Sequence, residues 1–343
     1  MFELALTNLL APPVLFFALG LFAAWVKSDL AMPDAAAKLL SLYLLLSIGF
    51  KGGVAASSAG LTPQLIGAIC VGIAMSALMP VVVFPLFKKL AGLDSATAAA
   101  TAAHYGSISI VTFVAATDFA HRAGIEFSGH MVAVAVVMES PAILTGLVLA
   151  SLSVAKAGAP TPIHDGALPN AHGVKDSDTH RPGLSMDLLK EVFFNGSVIL
   201  LVGAFAIGLI TGAQGMKRLD PFVIGIFQGV LCLFLLEMGL VAGRRIFHGD
   251  GVKLGLLAAS LSSTILGALA GFLGAKLIGA SQGDTAILVT LGASASYIAV
   301  PAAMRVALPN ANPGAYLTAS LGVTFPFNLT LGLPLYFWLA SHT

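Results

Sequence analysis

Charged residues and cysteines are scarce in this sequence, and each shortage excludes a class of protein. Only 10% of the 343 residues are charged, whereas a soluble domain carries about 25%. The chain is therefore not an ordinary soluble enzyme. Cys70 and Cys232 have no neighbour at the spacing of a CxxC or zinc motif, and we interpret both as small buried hydrophobic residues. The 17 basic residues nearly balance the 16 acidic ones, so no basic surface indicates a nucleic-acid partner.

Apolar residues make up most of the chain instead. The set AVILMFWYC accounts for 57% of the residues, and the mean hydropathy is +0.94. Because a helix that crosses a bilayer needs about 20 apolar residues, the composition predicts an all-α polytopic protein embedded in membrane lipid. Apolar runs bounded by charge, proline or polar clusters predict ten transmembrane helices, at 8–26, 36–56, 64–87, 95–117, 130–155, 190–212, 220–244, 252–279, 284–306 and 314–340.

One long polar stretch divides the chain. Residues 156–189 contain Pro, Gly, His and Asp throughout, and they are predicted to form a flexible linker between a first five-helix repeat, 1–155, and a second, 190–343. The halves match weakly at an offset of about 190, where 104–109 aligns with 294–299. Because five is an odd number, the second half is predicted to be inverted, as in secondary transporters.

The positions of Lys and Arg predict the orientation. Most of these residues fall on the odd-numbered loops and on the linker. By the positive-inside rule those segments are cytoplasmic. Ten spans then place both termini outside, in a multi-pass protein of the cell inner membrane.

Two predicted spans carry Gly and Ser clusters at their centres, Gly106-Ser107-Ile108-Ser109 in the fourth and Ser294-Ala295-Ser296-Tyr297 in the ninth. Transporters with inverted repeats bind substrate at the midplane, where paired helices are broken. Small residues also serve close helix packing, but their recurrence at equivalent positions favours a binding site. Two half-helix N-termini that point at one spot supply roughly one unit of positive charge, which suits a small monovalent anion.

Two carboxylates lie well within predicted spans, Glu139 and Glu237. An ionisable residue at that depth is costly and indicates a function. Pro141 removes a helical donor beside Glu139, which favours Glu139 as a Na⁺ ligand; a proton-carrying carboxyl and a structural ion pair are the alternatives. For Glu237 a structural or interface role is favoured. His104, beside Gly106, is interpreted as a hydrogen-bonded packing residue.

Motifs of catalysis are missing from the sequence. It contains no nucleophile elbow, phosphate-binding loop, HExxH or paired CxxC. We therefore expect no enzymatic activity and no cofactor other than a coupling ion.

The segments 44–53, 106–109, 138–145, 236–246 and 292–316 resemble the bacterial sodium-dependent bicarbonate transporters, similar to the cyanobacterial high-affinity proteins. The resemblance covers essentially the whole chain. It implies ten spans in two inverted repeats, with a gate domain from spans 1, 2, 6 and 7 and a core domain from spans 3–5 and 8–10. It also implies elevator-type movement, homotrimers and, in some members, a PII-like regulatory protein on the cytoplasmic face.

The resemblance further implies site residues. The anion would be bound by Gly106, Ser107, Ile108, Ser109, Ser294, Ala295, Ser296 and Tyr297, and the candidate Na⁺ ligands are Glu139, Ser109, Thr112 and Thr324. This chain has Ile110-Val111 where the family has a Gly-Ser pair, and Tyr297 where it has an Asp. These departures leave open the number of Na⁺ sites, the coupling ratio and the identity of the anion.

Together, these features predict a symporter that carries bicarbonate, or a similar small monovalent anion, into the cell with Na⁺. One alternative keeps the fold but carries another anion, such as a short carboxylate, or couples to H⁺. A second alternative is a passive channel or a regulatory membrane protein that recruits a cytosolic partner.

Overall fold

A computed structural model describes residues 2–59, 63–139, 141–157, 196–248, 253–297, 300–301, 303–304, 308 and 310–342. Every regular element in these ranges is helical. Nearly all of the predicted linker, from residue 158 to its end at 189, lies outside the described residues. The helices of the first half are α1 (Phe2–Leu9), α2 (Pro12–Trp25), α3 (Asp34–Ala59), α4 (Pro63–Lys89), α5 (Ser95–Gly106), α6 (Ile110–Arg122), α7 (Met131–Val137) and α8 (Pro141–Ala157).

The second half continues in the same way. Its helices are α9 (Gly196–Asp220), α10 (Phe227–His248), α11 (Leu254–Leu277) and α12 (Gln282–Ala293), followed by the helical span α13 (Pro313–Ala340). The last of these contains two π-helical segments, Thr318–Thr324 and Asn328–Gly332.

Seven helical segments are long and apolar enough to cross a membrane, which supports a multi-pass membrane protein. They are Ala35–Ser57, Pro63–Lys89, Ser95–Arg122, Met131–Ala150, Ile199–Gly225, Leu254–Leu277 and Pro313–Ala340. Three of the ten predicted spans are not in this set. Span 8–26 contains α2, whose 14 residues are too few to cross alone. Span 220–244 overlaps α10, and span 284–306 is interrupted after Ala293. The number ten stays a prediction.

Two helix pairs cross through glycines. α2 meets α10 where Gly20 and Gly239 face each other, and a Cβ on either glycine would lie 2.1 Å from a backbone oxygen of the other helix. α3 meets α9 in the same manner, because a Cβ on Gly53 would lie 1.9 Å from the Phe205 carbonyl oxygen. Only residues without a side chain permit such an approach, and it lets the backbones pack in direct contact.

The remaining helices form a second group around the two interrupted spans. α4 packs against α5 and α8, and α11 packs against α12 and α4. In the segment Ser95–Arg122, every residue from 97 to 120 except Ile110 is buried, whereas most residues of Ile199–Gly225 are not. The interrupted segment α5–α6 thus lies at the centre of the molecule, away from lipid.

Candidate functional site

The predicted interruption of the fourth span is present. Asp94 caps α5 by accepting a hydrogen bond from the Thr97 amide, and the helix runs for 12 residues to Gly106. Ser107 then takes an extended conformation (φ −86°, ψ 154°), and the Ser109 hydroxyl caps the next helix, α6, by accepting from the Thr112 amide over 3.1 Å. Small hydroxyl residues favour such caps over helix interiors, which explains why the helix breaks here.

The ninth span breaks in the same way. Ser281 caps α12, this helix also has 12 residues, and Ser294 is extended at φ −85° and ψ 162°. Ser281 and Ser294 each lie 187 positions after their counterparts Asp94 and Ser107. The structural register therefore differs by three residues from the offset of about 190 predicted from sequence, because apolar helices match almost equally well when shifted by about one turn.

Hydrogen bonds join the two breaks directly. The Ser109 amide donates to the Ser294 hydroxyl over 3.0 Å. The Ser296 amide donates to the carbonyl oxygen of His104 over 2.8 Å. The structure thus brings Ser109, Ser294 and Ser296 together at one crossing, as the sequence predicted for these three.

The two interrupted segments run antiparallel. At one end the Asn312 amide donates to the Thr97 hydroxyl over 3.0 Å, so the chain that follows the ninth span meets the start of the fourth. At the other end the Asp284 carboxylate accepts the amide and the hydroxyl of Ser128, each over 2.7 Å. The start of the ninth span therefore meets the loop that follows the fourth, which is the arrangement expected of an inverted pair.

Several buried polar atoms beside the crossing have no hydrogen-bond partner within the described residues. They are the Ser107 hydroxyl, the Thr112 hydroxyl, the Tyr297 hydroxyl and Nε2 of His104. All four residues are buried. Because buried polar groups almost always find partners in folded proteins, these four atoms are candidates for binding a polar ligand.

The apolar members of the predicted site are packed into the core. Ile108 and Ala295 are 1% and 2% exposed, and the Tyr297 ring packs edge-on against Phe325 with centroids 5.3 Å apart. Any contact that Ile108 or Ala295 makes with a polar ligand is therefore made by backbone atoms. Gly106 packs against α4, because a Cβ there would lie 2.5 Å from Cδ of Pro80.

Glu139 lies at a third interruption, between α7 and α8. α7 ends at Val137, and α8 begins at Pro141. The Ser76 hydroxyl of α4 bridges this gap, since it donates to the Met138 carbonyl over 2.6 Å and accepts from the Ala142 amide over 3.1 Å. Glu139 is 2% exposed, and its Oε2 has no hydrogen-bond partner among the described residues. A buried carboxylate without compensation needs a bound cation or a proton.

The four candidate Na⁺ ligands fall into three groups. Ser109 and Thr112 are adjacent through the cap of α6, and Glu139 lies at the separate break just described. Thr324 belongs to a hydroxyl cluster with Tyr105, at 2.7 Å, and Thr264, at 3.2 Å. No group of three or more His, Cys, Asp or Glu side chains that could hold a metal occurs in the part of the chain that the structure describes.

Sequence reasoning missed the residues that tie the site to its surroundings. Ser76 and Pro80 of α4 contact two of the breaks, and Asn312 and Ser128 fasten the ends of the crossing. The starts of the two half-helices did have a sequence signal, because Asp94 and Ser281 are typical N-cap residues. Each accepts a hydrogen bond from the amide three residues further along the chain. The contacts of Ser76 and Asn312 have no local signature, because they form only in the folded chain.

A cavity of about 480 Å³ lies beside the 124–129 loop, where α3 and α9 meet α6 and α7. Its lining includes Lys51, Thr117 and His121. The Lys51 ammonium lies 3.8 Å from the centre of the Phe227 ring. Nearby, Asp118 of α6 accepts from Arg122 over 2.9 Å and from Gln228 of α10. Lys51, Thr117 and His121 therefore give a mostly apolar cavity one polar, basic side.

The chain matches a known protein family over nearly its whole length. Residues 12–341 match the Na⁺-dependent bicarbonate transporter superfamily. No curated protein matches the chain. Because the match covers nearly the whole chain, the protein belongs to the Na⁺-dependent bicarbonate transporter superfamily.

Proposed function

We propose that this protein is a symporter that brings bicarbonate, or a similar small monovalent anion, into the cell together with Na⁺. The observation that carries the proposal is the antiparallel crossing of two interrupted helices with orphaned hydroxyls at its centre. The proposed anion site consists of Gly106, Ser107, Ile108, Ser109, Ser294, Ala295, Ser296 and Tyr297. The Ser107 and Thr112 hydroxyls have unused donors, and the N-terminus of α6 adds about half a positive charge.

Glu139 is the proposed centre of the Na⁺ site. Its buried Oε2 has no partner among the described residues, and the arginine Arg122 pairs with Asp118 instead. A bound Na⁺ balances the carboxylate and orders the neighbouring breaks, so the anion binds well only when Na⁺ is present. Reciprocity then requires that the anion also tighten Na⁺ binding. Thr324 is a weaker candidate ligand, because its hydroxyl already bonds to Tyr105.

The movement proposed is of the elevator type. The glycine-crossed pairs α2–α10 and α3–α9 correspond to spans 1, 2, 6 and 7 and form the gate domain, and the interrupted spans belong to the core domain. Ten spans in two inverted repeats, 1–155 and 190–343, complete this scheme. The antiparallel fastening of the fourth and ninth spans supports the inversion.

The family resemblance and the loop charges support a proposal for assembly and orientation. We propose a homotrimer in the inner membrane, with both termini outside and the 156–189 linker in the cytoplasm, where a PII-like protein would bind. In this orientation the cavity beside the 124–129 loop faces outward, so Lys51 lies on the approach that an incoming anion takes.

A proton-coupled form of the same transporter is the second candidate. Tyr297 occupies the place of a family aspartate, and its ring is packed against Phe325. With that carboxylate missing, Glu139 carries the coupling charge alone. A single buried carboxyl serves a proton as readily as a sodium ion.

Uptake into proteoliposomes tests the proposal. Labelled bicarbonate is expected to accumulate when Na⁺ is high outside, and not when K⁺ replaces it. Accumulation that follows only a pH gradient supports the proton-coupled form. If labelled bicarbonate equilibrates across the membrane without accumulating, the protein is a channel. If no labelled bicarbonate enters, bicarbonate is not the substrate. Unlabelled nitrate, formate and acetate as competitors identify the preferred anion.

A further inference from the structure

A polar cluster joins the interrupted fourth span to the helices of the proposed gate domain. Asp118 lies near the end of α6, nine residues after the cap at Ser109, which places it about 14 Å along the helix from the crossing. Its side chain is 3% exposed. Oδ2 accepts from Nε of Arg122 on the same helix over 2.9 Å, and Oδ1 accepts from the side-chain amide of Gln228. Asp118 therefore connects α6 to α10.

Lys51 of α3 belongs to the same cluster. Its ammonium interacts electrostatically with the Asp118 carboxylate, and it also lies 3.8 Å from the centre of the Phe227 ring. Phe227 directly precedes Gln228 in α10. Two helices of the proposed gate domain, α3 and α10, thus interact with one carboxylate on a helix of the proposed core domain, α6.

The cluster can separate along the boundary between the domains without leaving either charge unpartnered. Arg122 lies one turn after Asp118, so this ion pair stays together when α6 moves. Lys51 keeps the Phe227 ring, because α3 and α10 belong to the same domain. The contacts that break are the hydrogen bond from Gln228 and the attraction of Lys51 for Asp118. Because removal of every partner from a buried carboxylate is strongly unfavourable, the Arg122 pair makes the separation feasible.

From these contacts, which gain this meaning from the elevator-type movement proposed above, we propose that Asp118 is a latch between the two domains. The latch is closed in this structure, where Gln228 and Lys51 hold α6 against the gate domain. Release breaks both contacts and frees α6 to move, together with the proposed anion site at its N-terminus. The three residues thereby set the balance between the two positions of the core domain without touching the cargo.

Distances between two spin labels, measured by double electron–electron resonance with and without Na⁺ and bicarbonate, test the latch. The labels are attached at Asp29→Cys, in the exposed loop between α2 and α3, and at Glu126→Cys, in the exposed loop after α6. The native cysteines are removed by Cys70→Ala and Cys232→Ala. The 124–129 loop lies beside the C-terminal part of α3, so most of the length of that helix, about 30 Å, separates the labels. Movement of the core domain along the membrane normal changes this distance.

Substitutions of Gln228 are expected to shift the populations of the latched and released distances in opposite directions. Gln228→Lys places a positive charge beside Asp118 and should increase the latched population. Gln228→Glu brings two carboxylates together and should decrease it, with the uncharged Gln228→Leu between Gln228→Glu and the wild type. The ratio of latched to released protein should differ at least about tenfold between Gln228→Lys and Gln228→Glu, because one hydrogen bond to a charged group is worth about that factor. Gln64→Lys and Gln64→Glu, at an exposed position at the start of α4, are the matched controls and should behave as wild type.

The outcomes separate the latch from the proposed function. Equal ratios in Gln228→Lys and Gln228→Glu, or a single distance in every variant, overturn the latch while Na⁺-driven uptake by the wild type stands. A purely structural contact would lower the melting temperature of Gln228→Leu and leave the ratio unchanged, which also overturns the latch. A wild type that accumulates no bicarbonate overturns the proposed function, and the distances still decide whether the latch exists. Should Gln228→Glu fail to fold, the comparison of Gln228→Lys with Gln228→Leu decides the question.

Discussion

The amide of Ser109 donates to the hydroxyl of Ser294 over 3.0 Å, although 185 residues separate them in the chain. This bond joins the break in one half to the break in the other. The Ser294 hydroxyl also donates to Leu291 of its own helix over 2.8 Å, so the serine links the end of α12 to the start of α6. The two breaks therefore form one structural unit.

Ser294→Ala is expected to weaken bicarbonate binding and to lower stability. The substitution leaves the buried amide of Ser109 without an acceptor, at a cost of about 1–3 kcal/mol. Thermal unfolding in detergent and Na⁺-driven uptake measure the two effects. Ser263→Ala is the control, since the Ser263 hydroxyl donates to the Ala259 carbonyl of its own helix and has no other partner in the described part of the chain. An equal loss of thermal stability and of uptake in both variants would contradict a particular role for the bond between Ser109 and Ser294.

Removal of hydroxyls from both breaks should affect binding more than folding. In Ser109→Ala with Ser296→Ala the cap of α6 is lost, and the anion loses two hydroxyl groups. We expect the bicarbonate concentration for half-maximal uptake to rise tenfold or more. The loss in the free energy of unfolding, measured from melting curves, should be smaller than this loss in the free energy of binding. Wild-type uptake by this double variant rejects the proposed anion site.

Glu139→Gln should abolish the Na⁺ dependence of uptake. The amide keeps the shape of the side chain and removes the charge that the cation balances. Uptake measured at a series of Na⁺ concentrations checks this, with Asp29→Asn as control because Asp29 is exposed, in the loop between α2 and α3. An unchanged apparent Na⁺ affinity excludes Glu139 from the site, and loss of a response to pH instead identifies it as the proton carrier.

Gly53→Val is expected to disrupt the pairing of α3 with α9. A Cβ at this position would lie 1.9 Å from the Phe205 carbonyl oxygen, so the helices must separate. Overpacking of this kind costs about 1–3 kcal/mol or more. Gly203→Val on α9 is the matched control, because nothing lies within 4 Å of its Cβ position. Equal melting temperatures for the two variants contradict the close crossing.

The cap of α5 should make stability depend on pH. Burial tends to raise the pKa of Asp94, but hydrogen bonds from Thr97 outweigh it and hold that pKa below the ordinary 3.8. A carboxyl of this kind stabilises the fold above its unfolded pKa, and the contribution disappears as the pH falls through the folded pKa. Asp94→Ala should thus cost about 1 kcal/mol near neutral pH and nothing in strong acid.

Melting curves between pH 7 and pH 3 check this prediction. Ser281→Ala removes the corresponding cap of α12, where a hydroxyl replaces the carboxylate. The stability lost in Ser281→Ala should stay constant over the same pH range, since a serine does not titrate there. A difference in stability between Asp94→Ala and wild type that is as large at pH 3 as at pH 7 contradicts the assigned cause.

The two helix breaks were predictable because the residue types at the breaks themselves disfavour a helix. The contacts between distant segments were not predictable, because no nearby residues signal them. Gly106 and Ser107 disfavour a continuous helix wherever they stand together, so the interruption was visible in the sequence. The caps of α5 and α12 lie 187 positions apart rather than about 190, because alanine-rich and leucine-rich segments carry little information about register. The bridge that Ser76 makes to Met138 was not predictable, since 62 residues separate the two and only folding brings them into contact.

The fastening of Thr97 to Asn312 and of Asp284 to Ser128 has a mechanical consequence. Hydrogen bonds join the two interrupted segments at both ends and in the middle, so we expect the segments to move together as one rigid unit. A movement of this kind is what the proposed elevator-type transport requires.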